Sequence, residues 1–219
     1  MTLALLHTSS VHVPVFDALR DADHPALVLR HLVHEELLDR AGASGPESVT
    51  GDVEALLAAA VAEGATAVLC TCSTIGGVAE SAGAALGVPV LRVDRPMAAA
   101  AARARRVTVI AALTATIEPT LALLAEEADR AGRHPAAVRT VLVDGAWERF
   151  EAGDRDGYLD LVAAAADAVT DADVIVLAQA SMADAVTRTA TRVPVLSSPR
   201  PGLGAAAAAA CSPGRADHP

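Results

Sequence analysis

The chain opens on a short apolar run, Thr2 to Leu6, that breaks at once into the polar stretch His7-Thr8-Ser9-Ser10. The same event recurs along the sequence. A short apolar, partly β-branched run ends in polar or small residues, and a stretch with apolar positions at helical spacing follows. Buried strands alternating with amphipathic helices predict a parallel α/β sheet. Strands are predicted over 2–6, 26–30, 65–69, 88–93, 107–111, 138–143, 172–178 and 193–196. One or two turns of helix are expected over 16–20, and a helix through Leu37 and Leu38 that ends near Gly42, with 43–48 as a loop. The clearest helix of the first half carries Val53, Leu56, Leu57, Ala60 and Val61 at i, i+3, i+4, i+7 and i+8. Asp52 is its expected N-cap and Gly64 its end. Further helices are expected over 77–86, 96–106, 118–132, 156–169 (capped by Asp156) and 204–211, with a short one after Met182. Gly145 to Gly153, which holds the only tryptophan, Trp147, reads as a long connection, and 212–219 as a disordered tail.

The order of elements repeats, with roughly four strands in each half, which argues for a pseudo-repeat. The sharpest internal match sets Ala65-Thr-Ala-Val-Leu-Cys-Thr-Cys-Ser against Ala172-Asp-Val-Ile-Val-Leu-Ala-Gln-Ala and places Cys72 opposite Gln179. Two α/β domains are expected, 1–96 regaining 204–211 and 97–203, with the two strand ends facing one another across a cleft between the halves.

Composition narrows the function classes. Of 219 residues 53% are hydrophobic but only 2% aromatic, so the core is built from Ala, Val and Leu and offers no stacking platform for bases. A net charge of −10 argues against binding nucleic acid or an anionic membrane. The cysteines are Cys70, Cys72 and Cys211, an odd number and a poor disulfide framework. Cys70 and Cys72 are expected to point to opposite faces, which disfavours a disulfide or shared metal site. His31-x-x-His34-Glu35 lacks the i, i+4 spacing of the zinc-helix motif, so no metal is expected. No signal peptide or membrane-length apolar run is read, and a reduced cytoplasmic protein is the expectation. Gly76-Gly77 is not a dinucleotide fingerprint, and there is no P-loop.

The candidate chemistry lies in Ala65 to Glu80. Cys70 falls inside the strand and reads as a packing residue. Cys72, Ser73 and Thr74 stand where the strand ends, the edge at which ligands bind in parallel α/β sheets, and Gly76-Gly77 are expected to let the backbone turn sharply into the next helix. A thiol beside helix-start amides can have a depressed pKa, and the thiolate is its reactive form. Among the histidines, His7 and then His31 are best placed to orient a thiolate or act as a second base. His12, His24, His34, His134 and His218 read as surface or packing residues. Arg92, Arg95 and Arg103 to Arg106 read as a solvated helix face or an interface, and Glu35, Glu36, Glu126 and Glu127 as surface charges.

These strand ends carry a resemblance. Over about Thr2 to Cys211 the chain resembles the aspartate/glutamate racemase superfamily, which includes hydantoin racemase, maleate isomerase and arylmalonate decarboxylase. The racemases' first-half strand ends in Cys-Asn-Thr, here Cys72-Ser73-Thr74; their second-half strand ends in Gly-Cys-Thr, here Ala178-Gln179-Ala180. The resemblance implies two flavodoxin-like domains around a small-carboxylate site without a cofactor. It implies carboxylate-binding loops at Thr8-Ser9-Ser10 and Thr114-Ala115-Thr116, with donors from Ser73, Thr74, Ala180 and Ser181 and with His7 beside them. The second thiol is missing. A two-base racemase needs two titratable groups, and Gln179 can only donate an amide N–H to a developing oxyanion. The expected enzyme is a racemase or isomerase working through Cys72. A one-cysteine decarboxylase or lyase and a non-catalytic carboxylate-binding protein stay open, as does a homo-oligomer.

Overall fold

The computed structural model describes residues 1–211; the tail expected over 212–219 lies outside the described residues. Its strands are β1 (Thr2–His7), β2 (Val28–Val33), β3 (Ala67–Cys70), β4 (Val90–Arg92), β5 (Arg106–Ala111), β6 (Ala137–Leu142), β7 (Val174–Leu177) and β8 (Val195–Leu196). They form two four-stranded parallel sheets, ordered β2-β1-β3-β4 and β6-β5-β7-β8. The register repeats with the order: Leu3 lies opposite Ala67 in the first sheet, and Val107 opposite Val174 in the second. Each sheet has the doubly wound arrangement in which strand order reverses beside the first strand.

The helices are α1 (His12–Asp23), α2 (Glu36–Ser44), α3 (Thr50–Ala62), α4 (Gly76–Gly83), α5 (Arg95–Ala101), α6 (Ile117–Arg130), α7 (Ala146–Glu151), α8 (Arg155–Asp167) and α9 (Pro199–Cys211). The chain divides into two compact units, Met1–Val93 joined by the segment that begins at Arg200, and Asp94–Pro199. In the first unit Ala4, Leu6 and Val68 pack on one face of the sheet with Leu37, Val53 and Leu57 of α2 and α3. Leu3, Leu5 and Leu69 pack on the other with Phe16 of α1 and Leu203 and Ala206 of α9. In the second unit, Ile110, Ile175 and Leu177 meet Tyr158 and Val162 of α8, while Val107, Val109 and Val176 meet Met97 of α5 and Leu123 of α6. Strands buried on both faces read as unbroken apolar runs, the pattern from which they were predicted. Among the described residues no helix is long and apolar enough to cross a membrane.

Several local expectations are corrected. α1 spans His12–Asp23, well beyond one or two turns, because His12 and Phe16, one turn apart, are both buried, and Pro14 falls in the first turn, where a missing N–H costs no helical hydrogen bond. β2 starts later than predicted, since pairing with β1 begins with Val28 opposite Thr2; His31 therefore lies within the strand. Asp52 caps nothing: a 3-10 turn over Pro46–Val49 runs directly into α3, and Asp52 pairs with Arg40 at 2.8 Å. Asp154, not Asp156, caps α8, accepting from the Gly157 N–H at 3.0 Å. The connection around Trp147 contains α7, where Trp147 stacks on Phe150 at 4.9 Å. α5 ends at Ala101, so Arg103 to Arg106 do not lie on it, and Arg106 opens β5.

α9 is held against β4 through a glycine. A Cβ on Gly202 would overlap the carbonyl oxygen and side chain of Val93. Gly42, inside α2, has no neighbouring atom within 4 Å of such a Cβ and no positive φ. Gly202→Ala is expected to cost about 1–3 kcal/mol, lowering Tm by about 2–4 °C per kcal/mol. Gly42→Ala is expected to be neutral or to stabilise by up to about 1 kcal/mol. Thermal unfolding of the two variants beside the wild type checks both.

Candidate active site

β3 delivers its last residue, Cys70, into the core, and the segment from Thr71 to Ile75 stays buried before α4 begins at Gly76. Cys72 is 8% exposed, Ser73 5% and Thr74 3%. Cys70 and Cys72 share one apolar cluster instead of diverging, because residues two apart on an extended strand point to the same face. Both are free thiols, and the Cys70 S–H donates to the Cys72 carbonyl at 3.6 Å. The Ser73 hydroxyl is buried and has no hydrogen-bond partner among the described residues.

Arg92 overturns its reading as a solvated residue. It pairs in register with Cys70 at the end of β4, is 3% exposed, and donates through Nη2 to the Ser73 carbonyl at 3.2 Å. Gly76 and Gly77 have no positive φ and belong to α4. They supply space, not a sharp turn: a Cβ on Gly76 would stand 3.0 Å from the Arg92 Cβ and Nε. Glu127 is likewise buried, not a surface charge, and receives Arg95 at 2.5 Å.

The loop after β1 places Thr8 buried, Ser9 half-buried and Ser10 exposed. The Ser10 N–H and hydroxyl donate to the Glu35 carboxylate at 3.0 and 2.9 Å, which holds that carboxyl below its usual range. His7 is fully buried. Its Nδ1 lies 2.8 Å from Thr71 Oγ1 and its Nε2 2.8 Å from His31 Nδ1, so both ring nitrogens are engaged within the fold. Burial, then His12 and His31, push its pKa down from 6.5 to about 3, and the ring is neutral at pH 7. His7 therefore supports the strand end that bears Cys72 through the neighbouring Thr71.

The second unit repeats this arrangement with different chemistry. Gln179, 9% exposed, stands two residues past β7, as Cys72 stands two past β3. Its Oε1 accepts from the backbone N–H groups of Ala112 at 2.7 Å and Leu113 at 3.3 Å, just past the neighbouring β5. That fixes the side chain and leaves the Nε2 protons as its remaining donors. Ala180 is buried, and Ser181 Oγ lies 2.8 Å from the Tyr158 hydroxyl. Burial raises Tyr158 to about 12, so it stays a phenol and a donor. Thr114 to Thr116 form a 3-10 turn, with Thr114 exposed, Ala115 half-buried and Thr116 buried. Among the described residues no group of His, Cys, Asp or Glu could hold a metal ion.

Each unit thus joins the ends of its first and third strands, His7 to Thr71 in the first and the Ala112 and Leu113 amides to Gln179 in the second. Sequence reasoning read Arg92 as a solvated charge and did not single out Thr71, Asp17 or Tyr158. Only Arg92 left a signal, a charge at the end of an otherwise apolar strand.

The family model for Asp/Glu/Hydantoin racemase matches residues 8–209. Among solved structures the chain is similar to the glutamate racemase of Thermus thermophilus in complex with β-chloro-D-alanine, at 20% identity and TM-score 0.72, covering 94% of this chain and 79% of that one. It is similar to the glutamate racemase of Francisella tularensis in complex with D-glutamate, at 12% identity and TM-score 0.70, covering 93% and 78%. It is also similar to arylmalonate decarboxylase, at 20% identity and TM-score 0.61, covering 97% and 94%. At these identities the likeness is one of fold. No curated protein matches the chain.

Because His7 binds its proton less readily folded than unfolded, the unfolded state takes up the proton first as pH falls. Its contribution to stability is complete above 6.5 and is lost between 6.5 and about 3, with a slope of up to about 1.4 kcal/mol per pH unit. Denaturant unfolding from neutral to acid pH should show a shallower loss in His7→Asn than in the wild type. Equal slopes would remove this role.

Proposed function

Because the chain belongs to the Asp/Glu/Hydantoin racemase family, we propose that it is a cofactor-independent enzyme acting at the α-carbon of a small carboxylate, with Cys72 as its acid/base. The observation that carries this reading is the Ser73 hydroxyl. It is 5% exposed, lacks a partner among the described residues and adjoins Cys72. A buried polar group without a partner costs about 1–3 kcal/mol, and a ligand oxygen offsets that cost. Ser73 and Thr74 are then the donors to the substrate carboxylate on the Cys72 side.

In the forward step the Cys72 thiolate takes the α-proton and the electron pair passes into the carboxylate, giving an enediolate. Returning the proton from the opposite face would invert the centre. Gln179 suits stabilisation of the oxyanion, since its Oε1 is fixed by two amides and its N–H groups are left to donate. It has no proton to exchange at neutral pH.

That limitation favours one second reading, a one-base decarboxylase or lyase. There the substrate loses CO₂, its C–C electron pair forms the enediolate, and the Cys72 S–H delivers a proton to the carbon. Water reprotonates the thiolate.

Two experiments test these readings. Deuterium incorporation from heavy water is followed by NMR, with CO₂ release in parallel, on aspartate, glutamate, hydantoins and malonates, using wild type and Cys72→Ala. Exchange with loss of optical purity is expected for the isomerase, and CO₂ release with one stereospecific deuterium for the decarboxylase. Identical behaviour of the two proteins on every substrate would refute a catalytic Cys72 and leave a binding protein. For the serine, Ser73→Ala is expected to unfold no more easily than wild type, because it removes an unpartnered hydroxyl. Its kcat/KM should nevertheless fall by about 10-fold or more, the loss of one hydrogen bond to a charged group. Unchanged kcat/KM would overturn Ser73 as a substrate donor.

A further inference from the structure

The polar contacts behind the end of β3 form a single line through the first unit. Asp17 Oδ1 lies 3.3 Å from His31 Nε2, His31 Nδ1 2.8 Å from His7 Nε2, and His7 Nδ1 2.8 Å from Thr71 Oγ1. The Thr71 hydroxyl also has the Leu6 carbonyl within reach at 3.2 Å. We infer that this line is a proton relay with two arrays that differ by one proton: the His7 Nε2 hydrogen passes to His31 Nδ1, a hydrogen supplied by solvent is carried at His7 Nδ1, and the tautomer of His7 switches.

The argument is one of hydrogen counting. An imidazole nitrogen either donates or accepts, and two facing nitrogens must do opposite things. In the first array Thr71 O–H donates to His7 Nδ1, His7 Nε2–H to His31 Nδ1, and His31 Nε2–H to the Asp17 carboxylate. Both rings are neutral. In the second, Thr71 O–H turns to the Leu6 carbonyl and Thr71 Oγ1 accepts from His7 Nδ1–H. His7 Nε2 then accepts from His31 Nδ1–H, and His31 Nε2–H still donates to Asp17. His31 is now an imidazolium paired with a carboxylate, and the array holds one proton more than before. A third arrangement, with neutral His31 turning its Nε2 lone pair to Asp17, sets two acceptors against each other.

No heavy atom has to move, because Thr71 Oγ1 is within bonding distance of both alternative partners. The Leu6 carbonyl is satisfied in either state, since it also receives the Thr71 backbone N–H at 2.9 Å.

The surrounding groups place the charge at the outer end. From α1, His12 lies against His7 with ring centroids 6.2 Å apart, Phe16 covers the same ring at 5.7 Å, and Asp17 faces His31. Arg20 lies 3.4 Å from Asp17 and 2.6 Å from Asp21. From β2 comes His31, and from the end of β3 the neutral Thr71. Among the described residues Asp17 is the anion paired with a ring of the line. His7 is the inner ring, and burial keeps it neutral in both arrays.

The relay ends one residue before Cys72, but its test needs no turnover and is read apart from the deuterium screen. Long-range proton–nitrogen correlation spectra of the ¹⁵N-labelled chain report which nitrogen of each ring carries hydrogen. As the pH is lowered, His7 is expected to pass from the Nε2–H to the Nδ1–H tautomer in step with the appearance of hydrogen on both nitrogens of His31. Asp17→Asn should move that change to lower pH by about one unit or more. A His7 that keeps one tautomer throughout, or a change at the same pH in Asp17→Asn, overturns the relay.

Discussion

The parallel pairing of β3 with β1 governs what this site can be. Leu6 stands opposite Cys70, so both strands end at the same level, and the chain leaves each of them into a polar loop. Both faces of the sheet are closed by helices. Before their last residues β1 from Leu3 onward and β3 are apolar, and polar chemistry gathers where these two strands stop. His7 and Thr71 meet at 2.8 Å for that reason, although 64 positions separate them. The second unit obeys the same rule, with the Ala112–Leu113 turn beside Gln179.

The repeat also exposes an asymmetry. At equivalent places, one unit carries a thiol and the other a carboxamide whose oxygen is spent on two backbone amides. The donors of Ser10 are likewise spent, on Glu35. The Ser73 hydroxyl is not. Buried polar groups are almost always satisfied inside a protein, which is why the unpartnered hydroxyl beside Cys72 carries the proposed substrate contact. Arg92 braces the same turn from the adjacent strand, and Gly76 makes room for it.

Much of this could be read from the chain. Hydrophobic periodicity located the strands and most helices to within a few residues, and the internal match anticipated a second sheet in the same order. Helix starts were harder. Asp52 and Asp156 look like caps, but a preceding 3-10 turn and the better-placed Asp154 took those roles. Cap choice depends on where backbone N–H groups point, which residue type alone does not encode. The expectation that Cys70 and Cys72 diverge failed on elementary strand geometry. His7 was singled out correctly as a strand-end histidine, but its partners could not be foreseen. They lie on β2, α1 and the end of β3 and meet only when the strands pair.

The sequence by itself determined the α/β class, the pseudo-repeat and the position of Cys72 at a strand end, because these follow from apolar spacing and local turn chemistry. Tertiary structure alone decided which polar groups are satisfied. It buried Arg92 under the cysteine turn, joined His7 to His31 and Thr71, fixed Gln179 to the amides of the neighbouring turn, and left the Ser73 hydroxyl without a partner among the described residues. Hydrogen bonds are set by distance and direction in space, and residues far apart in sequence acquire both only through the pairing of strands.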